Sequence, residues 1–117
     1  MKIAVIGSRH IDSSICLDIL RLLPPHITEI VSGGAPGVDR MARLIAQQSG
    51  IPLREFLPDY AAYGKRAPLV RNIQILDYAD EVLAFWDGRS RGTRHVIAEC
   101  IRRGKPVRVI PCCSGFR

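Results

Sequence analysis

The stretch ITEIVSGGAPGVD, residues 27–39, decides the fold of this chain. Its first half is an apolar run typical of a buried strand, and its second half is a glycine-rich turn that leads into a helix. Gly33, Gly34 and Gly37 allow the backbone to approach a ligand closely and to direct N–H groups at an anion. The dipole of the following helix adds to this attraction. The stretch therefore predicts a strand–turn–helix unit with a phosphate or ribose site at the turn.

The same arrangement occurs at two other places in the chain. Gly7-Ser8-Arg9 follows the apolar run at residues 3–6, and Gly92-Thr93 opens another predicted helix. Thr93 can cap its helix and bind phosphate through its hydroxyl and backbone N–H groups. Three such turns in one small domain predict a pocket for a phosphorylated small molecule.

Apolar periodicity and turn residues predict strands and helices that alternate along the whole chain. Strands are expected at residues 3–6, 27–31, 51–57, 82–86 and 107–110; helices at 12–23, 38–49, 68–78 and 93–103; and a loop at 58–66. Asp12 is expected to cap the first helix. The pattern predicts one α/β domain at residues 1–111, with a mostly parallel five-stranded sheet between two layers of helices, and a short tail at residues 112–117.

The strand-to-helix turns of such a sheet all lie at its carboxyl edge, where ligands of open α/β sheets bind. Arg71-Asn72, in the first turn of the helix opened by Pro68, is expected to face this edge. Arg71 lies among apolar residues, so it needs an anionic partner, which is either the ligand or a carboxylate such as Asp39. Asp39 is expected to contact a ribose hydroxyl, to orient an arginine, or only to favour the helix dipole.

The candidate ligand-binding residues share a position at or beside this edge. They are Gly7, Ser8, Arg9, Ser32, Gly33, Gly34, Gly37, Asp39, Arg71, Asn72, Gly92 and Thr93. For the two serines, capping of a turn is the alternative to phosphate binding. The aromatic residues nearby, Tyr60, Tyr63 and Trp86, are expected to pack or to form a lid rather than to stack on a base.

The composition favours an anionic partner. The formal net charge is +6, and fourteen of the seventeen basic residues are arginines, which grip phosphate or carboxylate bidentately. A solvated basic surface and weak nucleic-acid binding are the alternatives to a small anionic ligand. No apolar run is long enough to span a membrane, so a cytoplasmic location without a membrane partner is expected. No cofactor or metal motif is present, and Cys112-Cys113 is expected to be a reduced pair without a role.

The ordered set of motifs resembles the SLOG superfamily, named for the DNA-processing Smf/DprA proteins and the LOG phosphoribohydrolases. The resemblance is greatest to its small YspA-like branch. It rests on the turns at residues 7–9 and 32–39, on Arg71-Asn72, on Ala79-Asp80 before the strand that ends in Trp86, and on residues 90–93. It implies a Rossmann-like fold that binds a nucleotide or nucleotide-derived ligand, and by analogy a homodimer.

The sequence departs from the LOG enzymes at one position. Their P-G-G-x-G-T-x-x-E motif carries a catalytic acid, whereas Val96 occupies that place here, beside His95. Cleavage of an N-glycosidic bond needs a group that activates water, so the sequence predicts binding, such as sensing of the ligand, rather than hydrolysis. His95 and Arg71 are the candidate catalytic residues if the chain is a phosphoribohydrolase-like enzyme. DprA-like nucleic-acid binding is the third function considered.

Overall fold

A five-stranded, all-parallel sheet forms the centre of the structure. The computed structural model describes residues 1–9 and 15–112, with the backbone alone for residues 15–17. Within these residues the strands are β1 (Lys2–Gly7), β2 (Glu29–Ser32), β3 (Leu53–Glu55), β4 (Glu81–Trp86) and β5 (Val107–Pro111). Their order across the sheet is β3-β2-β1-β4-β5, and every neighbouring pair is parallel. The expected α/β architecture with a five-stranded sheet is confirmed.

Helices cover both faces of this sheet. They are α1 (Ile15–Leu22), α2 (Val38–Ser49), α3 (Tyr60–Tyr63), α4 (Ala67–Tyr78) and α5 (Arg91–Arg103), and a 3₁₀ turn at Gly64–Arg66 joins α3 to α4. Gly50 and Gly104 end α2 and α5 in the left-handed conformation, which glycine adopts without a steric penalty. Within the described part of the chain, no helix is long and apolar enough to cross a lipid bilayer.

Two apolar clusters, one on each face of the sheet, stabilise the three layers. Successive side chains of a strand point to opposite faces. Ile3 and Val5 of β1 therefore pack with Ile19 of α1 and Val38 of α2. Ala4 and Ile6 of the same strand pack on the other face, in a cluster that draws its helical members from α4 and α5. This division explains why the interiors of the central strands β1 and β4 are apolar throughout rather than alternating.

The structure differs from the predicted elements in two places. β3 covers only Leu53–Glu55 of the expected strand at residues 51–57. The expected loop at residues 58–66 contains α3, which Asp59 caps by accepting the N–H of Ala62 at 3.1 Å. A helix of four residues is too short for apolar periodicity to reveal it. The predicted cap Asp12 and the tail residues 113–117 lie outside the described residues.

The strand order reverses between β1 and β4. β1 is hydrogen-bonded to β2 on one side and to β4 on the other, and the chain runs outward from β1 in both directions. In open α/β sheets this reversal leaves a crevice outside the carboxyl ends of the two central strands. Gly7 ends β1 and Trp86 ends β4, so the turns that follow them border the crevice.

Candidate functional site

A cleft of about 1000 Å³ lies at the carboxyl edge of the sheet, where the strand order reverses. Six segments form it: the end of β1 with the turn after it, the loop from β2 into the first turn of α2, the segment from the 3₁₀ turn into α4, the loop after β4, the first turns of α5, and Cys112 after β5. Its floor is apolar and includes Ile6, Ile75 and Val96. The volume is at the upper end of the range for small-molecule sites, which is large enough for a nucleotide.

Seven of the twelve candidate ligand-binding residues line the cleft. They are Gly7, Arg9, Asp39, Arg71, Asn72, Gly92 and Thr93. The residues that do not line it are Ser8, Ser32, Gly33, Gly34 and Gly37, although their neighbour Ala35 does. The structure therefore brings the three predicted turns to one cleft, and it places the serines and most glycines of these turns behind the lining.

The carboxyl group of Asp39 is hydrogen-bonded to the glycine-rich turn. Its Oδ2 accepts the backbone N–H groups of Gly33 at 3.1 Å and Ala35 at 3.3 Å. The residue is only 5% exposed, and this burial raises the pKa of Asp39 to about 6, although its hydrogen bonds and Arg71 oppose the shift. A carboxyl group that gains or loses a proton near neutral pH thus lies in the wall of the cleft.

Arg71 of α4 contacts the same turn. Its Nη1 donates to the carbonyl oxygen of Gly33 at 2.7 Å, and its Nε donates to Oδ1 of Asn72 at 3.0 Å. Burial lowers the pKa of the Arg71 guanidinium, and the attraction of Asp39 opposes this effect. Arg9 lies close enough to lower the same pKa further by repulsion. Arg71 is therefore fixed in place with a second arginine beside it.

His95 does not line the cleft. Its Nδ1 lies 3.3 Å from Nδ2 of Asn72, so it contacts the cleft through that amide. The lining on this side of α5 is made by Thr93 and Val96 instead. Asn72 therefore lies between His95, the candidate base, and the space that a ligand would occupy.

Gly7 and Gly37 allow the first two turns to pack against each other. A Cβ on Gly7 would lie 2.4 Å from the carbonyl oxygen of Phe85 and 2.6 Å from Cγ2 of Val38. Gly37 has φ of +87°, and a Cβ there would lie 2.4 Å from the carbonyl oxygen of Ser8. These glycines are required by the close approach of protein segments, which in turn sets the shape of the cleft.

Ser8 and Ser32 bond to the protein itself. Ser8 is fully buried, and its Oγ accepts the N–H of Asp87 at 3.0 Å, which ties the turn after β1 to the loop after β4. Ser32 is also fully buried, and its Oγ accepts the N–H of Gly34 at 3.3 Å. Both serines therefore have the turn-capping role that the sequence left open as the alternative to phosphate binding.

The loop after β4 is held in one shape by side-chain hydrogen bonds. Oδ1 of Asp87 accepts the N–H groups of Arg89 and Ser90, each at 2.8 Å. Partial burial tends to raise the pKa of Asp87, but these two N–H groups and the Ser8 hydroxyl together lower it below its usual range. The indole N–H of Trp86 donates to the carbonyl oxygen of Ser90 at 3.0 Å, so Trp86 supports the loop.

Ser90 and Thr93 form the N-terminus of α5 at the cleft. Ser90 caps the helix by accepting the N–H of Thr93 at 3.4 Å, and the two hydroxyl oxygens lie 3.1 Å apart. The Thr93 hydroxyl is thus already engaged within the protein, and the residue is 4% exposed. Arg91 and Gly92 begin the helix, so their N–H groups have no preceding turn to bond to, and both residues line the cleft.

Positive charge dominates the lining. Its cationic side chains are Arg9, Lys65, Arg71, Arg89 and Arg91, and its carboxyl groups are Asp39 and Asp87. Among the described residues, none of these five cations has a carboxylate oxygen within 4.0 Å. The described ion pairs use Arg43, Arg102 and Arg103, which lie outside the lining. The cleft therefore concentrates unneutralised positive charge.

Six polar residues of the lining are absent from the candidate ligand-binding residues. They are Lys65, Asp87, Arg89, Ser90, Arg91 and Cys112. Ser90 and Arg91 entered only through the family resemblance, and Cys112 was expected to lie in a tail without a role. Asp87 and Cys112 follow strands directly, so their position at the carboxyl edge was available as a signal. Lys65 lies in the 3₁₀ turn, which no sequence pattern indicated. No cluster of three or more His, Cys, Asp or Glu side chains suited to a metal ion occurs among the residues described.

Comparison with known proteins places the chain in a family. No protein-family profile matches it. The Gene 61 protein of Mycobacterium phage D29 is 39% identical to it over 89 residues, which are 71% of this chain and 71% of the phage protein. The chain belongs to the family of this phage protein. The name of this relative states no activity, so the match shows common ancestry and gives no function.

A solved structure confirms the fold. DNA processing protein A (DprA) from Streptococcus pneumoniae superposes with a TM-score of 0.75 over 94% of this chain, at 22% sequence identity. The chain spans about half the length of DprA, since the match covers 50% of that protein. The Rossmann-like fold implied by the SLOG resemblance is thus present, because DprA is one of the proteins for which that superfamily is named.

Proposed function

We propose that this protein binds a nucleotide or a nucleotide-derived phosphorylated ligand in the carboxyl-edge cleft. The observation that carries the proposal is the set of five cationic side chains around the cleft, none of which forms an ion pair within 4.0 Å among the described residues, although Asp39 attracts Arg71 from a greater distance. Like charges gathered in one cleft repel each other, most strongly around Arg71, which is the half-buried member of the set, and a bound anion would remove this repulsion. Phosphate groups are the anions that arginine and a helix N-terminus bind best.

The shape of the cleft supports a ligand larger than phosphate. Apolar side chains such as Ile75, Pro68 and Leu69 lie between the cationic groups. An apolar surface next to cations suits a nucleoside, whose base and ribose carry no charge. The N-terminus of α5 at Gly92 is open, because a Cβ there would meet nothing within 4 Å. Since Gly92 is exposed, a phosphate oxygen bound beside it would meet the first N–H groups of this helix.

The lining favours binding over hydrolysis. Val96 lines the cleft where the LOG motif carries its acid, and it is 2% exposed within the apolar cluster of α4 and α5. We therefore propose a role such as ligand sensing, and we assign the chain to the YspA-like branch of the SLOG proteins. The carboxyl groups in the lining, Asp39 and Asp87, both accept backbone N–H groups, so they already serve to hold loops.

Titration calorimetry with AMP and with ribose 5-phosphate tests the proposal. Arg71→Gln is expected to weaken AMP binding by at least about tenfold, since a hydrogen bond to a charged group is worth about 1.5 to 3 kcal/mol. Arg102→Gln is the matched control, because it removes the same charge from an exposed site outside the lining. Native mass spectrometry of the purified protein would identify a retained ligand. The proposal fails if no nucleotide or sugar phosphate binds to the wild-type protein.

Single-stranded nucleic acid is the second candidate. The observation that favours it is an aromatic pair on α3, Tyr60 and Tyr63, which are 60% and 47% exposed. Tyr60 lies near enough to Arg71 to affect its pKa, so the pair is beside the cleft. Exposed aromatic rings next to cations form the stacking surfaces that single strands use. The structural neighbour is named as a DNA-processing protein, which is consistent with this candidate.

Fluorescence anisotropy with a labelled single-stranded oligonucleotide distinguishes the two candidates. Binding through charge alone is expected to be weak and to fall steeply as salt rises, because released counterions then drive it. Replacement of both tyrosines by alanine would leave such binding nearly unchanged. If binding is tight, survives physiological salt and is lost in the tyrosine variant, nucleic acid becomes the primary ligand.

A further inference from the structure

Asp39 is a buried carboxyl group inside a cationic cleft. The N–H groups of Gly33 and Ala35 both bond to its Oδ2. The N–H of Gly7, at the end of β1, also approaches the carboxyl group. The residue lines the cleft and is 5% exposed, so a ligand seated there would lie against it with little water between them.

Arg71 is the charged side chain that faces this carboxyl group among the described residues. Arg71 approaches it from α4, and Arg9 approaches Arg71 from the turn after β1. From its own loop, only backbone N–H groups reach it. On the side of α5, His95 is connected to this cluster only through Asn72 and Arg71. Arg9, Asp39 and Arg71 all line the cleft, so an anion held by both arginines would share the cleft with the carboxyl group that Arg71 faces.

We infer that binding of a dianion between Arg9 and Arg71 is coupled to the uptake of one proton from solvent by Asp39. The inference rests on the proposed function, because it concerns the anion subsite of the same cleft. A carboxylate and a dianion that share a water-poor site repel each other, and protonation of the carboxyl group removes this repulsion. The protonated oxygen then becomes a hydrogen-bond donor to the ligand, and Arg71 no longer divides its charge between Asp39 and the anion.

The direction of the pH effect follows from the two states of the site. Burial already raises the pKa of Asp39 to about 6 in the free protein, and a bound anion raises it further. Affinity is therefore expected to increase as the pH falls through the range between these two values. If the bound anion raises the pKa of Asp39 by about one more unit, the anion is expected to bind about tenfold more tightly at about pH 5 than at about pH 8.

Sulfate is the suitable probe, since it stays a dianion over this pH range and contributes no titration of its own. Calorimetry of the wild-type protein with sulfate gives the affinity at each pH. The same titration in buffers with different ionisation enthalpies gives the number of protons taken up, and this measurement requires no variant. Tighter binding at acidic pH together with proton uptake supports the inference. A pH-independent affinity without proton uptake overturns it.

Asp39→Asn gives the second test, because asparagine imitates the neutral carboxyl group and keeps an oxygen for the two loop N–H groups. At about pH 8 this variant is expected to bind sulfate as tightly as the wild type does at about pH 5, without a pH dependence. Asp77→Asn is the control, since it removes an exposed carboxylate outside the lining and should keep the wild-type profile. If the sulfate affinity of Asp39→Asn still changes with pH as it does in the wild type, the inference is overturned. Absence of sulfate binding at every pH overturns the proposed function and the inference with it.

Discussion

Replacement of Asp39 by asparagine is expected to stabilise the protein at neutral pH and to leave its stability nearly unchanged in acid. Burial is the main cause that raises the pKa of Asp39 from 3.8 to about 6, although three backbone N–H groups and Arg71 oppose it. The folded protein therefore prefers the neutral carboxyl group. Asparagine presents a neutral side chain of the same shape at every pH, and its oxygen can accept the same two hydrogen bonds.

The size of the effect follows from the two pKa values. Below the unfolded value of 3.8 the carboxyl group is neutral in both states, and its contribution to folding is fully present. As the pH rises toward about 6, the unfolded chain releases its proton first, so the free energy of unfolding decreases. A shift of about two units corresponds to about 3 kcal/mol, which is a large part of the stability of a small domain.

Urea denaturation of both proteins from about pH 4 to about pH 7 measures this effect. We compare the free energy of unfolding of Asp39→Asn with that of the wild type at each pH. The contributions of all other titratable groups are the same in both proteins, so they cancel in this difference. This difference is expected to grow by about 3 kcal/mol in favour of the variant as the pH rises. A difference that is constant with pH, or that grows in favour of the wild type, would refute the reasoning about burial.

Three other predictions concern the turns, the chemistry and the assembly of the protein. Gly37→Ala is expected to lower the free energy of unfolding by about 3 kcal/mol, because φ is +87° and a Cβ would collide with the carbonyl oxygen of Ser8. Gly104→Ala is expected to cost only about 1 kcal/mol, because the space around Gly104 is open. Thermal melts of both variants check this. Incubation with AMP and GMP is expected to release no free base by chromatography, and release that Asp39→Asn abolishes would instead identify a hydrolase. Light scattering is expected to show a homodimer of the 13.0 kDa chain, since Ile101 of α5 is 70% exposed; a monomer mass would contradict this.

The sheet could be predicted because its signals are local. Apolar runs bounded by glycine turns mark β1, β2 and β4, and the right-handed connection rule then brings their turns to one edge. β3 was predicted too long, since Ile51 and Leu57 flank the strand without belonging to it. The helix at Tyr60–Tyr63 was missed, because its stability depends on the Asp59 cap and on its position beside α4 rather than on periodicity.

The cleft was predicted in place but not in detail. Residues that line it and residues that brace it occur at the same sequence positions, namely directly after strands. Ser8 and Gly37 are examples, since each fits a phosphate-binding turn equally well, yet Ser8 bonds to Asp87 and Gly37 packs on Ser8. Whether such a residue lines the cleft or supports it depends on its distance to segments that are far away in the sequence. The spacing of residues within one turn gives no information about these distances.

The electrostatics of the cleft connects these observations to function. Elsewhere in the described structure, arginines such as Arg43 and Arg103 lie within 2.9 Å of carboxylates. In the cleft, by contrast, Arg71 is fixed by hydrogen bonds with Arg9 beside it, and the carboxyl group that faces them, Asp39, is held in an environment that favours its neutral form. The hydrogen bonds of Asp39 and Arg71 hold the glycine-rich turn, but the burial of both ionisable groups and the repulsion between Arg71 and Arg9 cost stability in the free protein. A bound anion would offset these two costs, which is the physical reason for the ligand that we propose for this cleft.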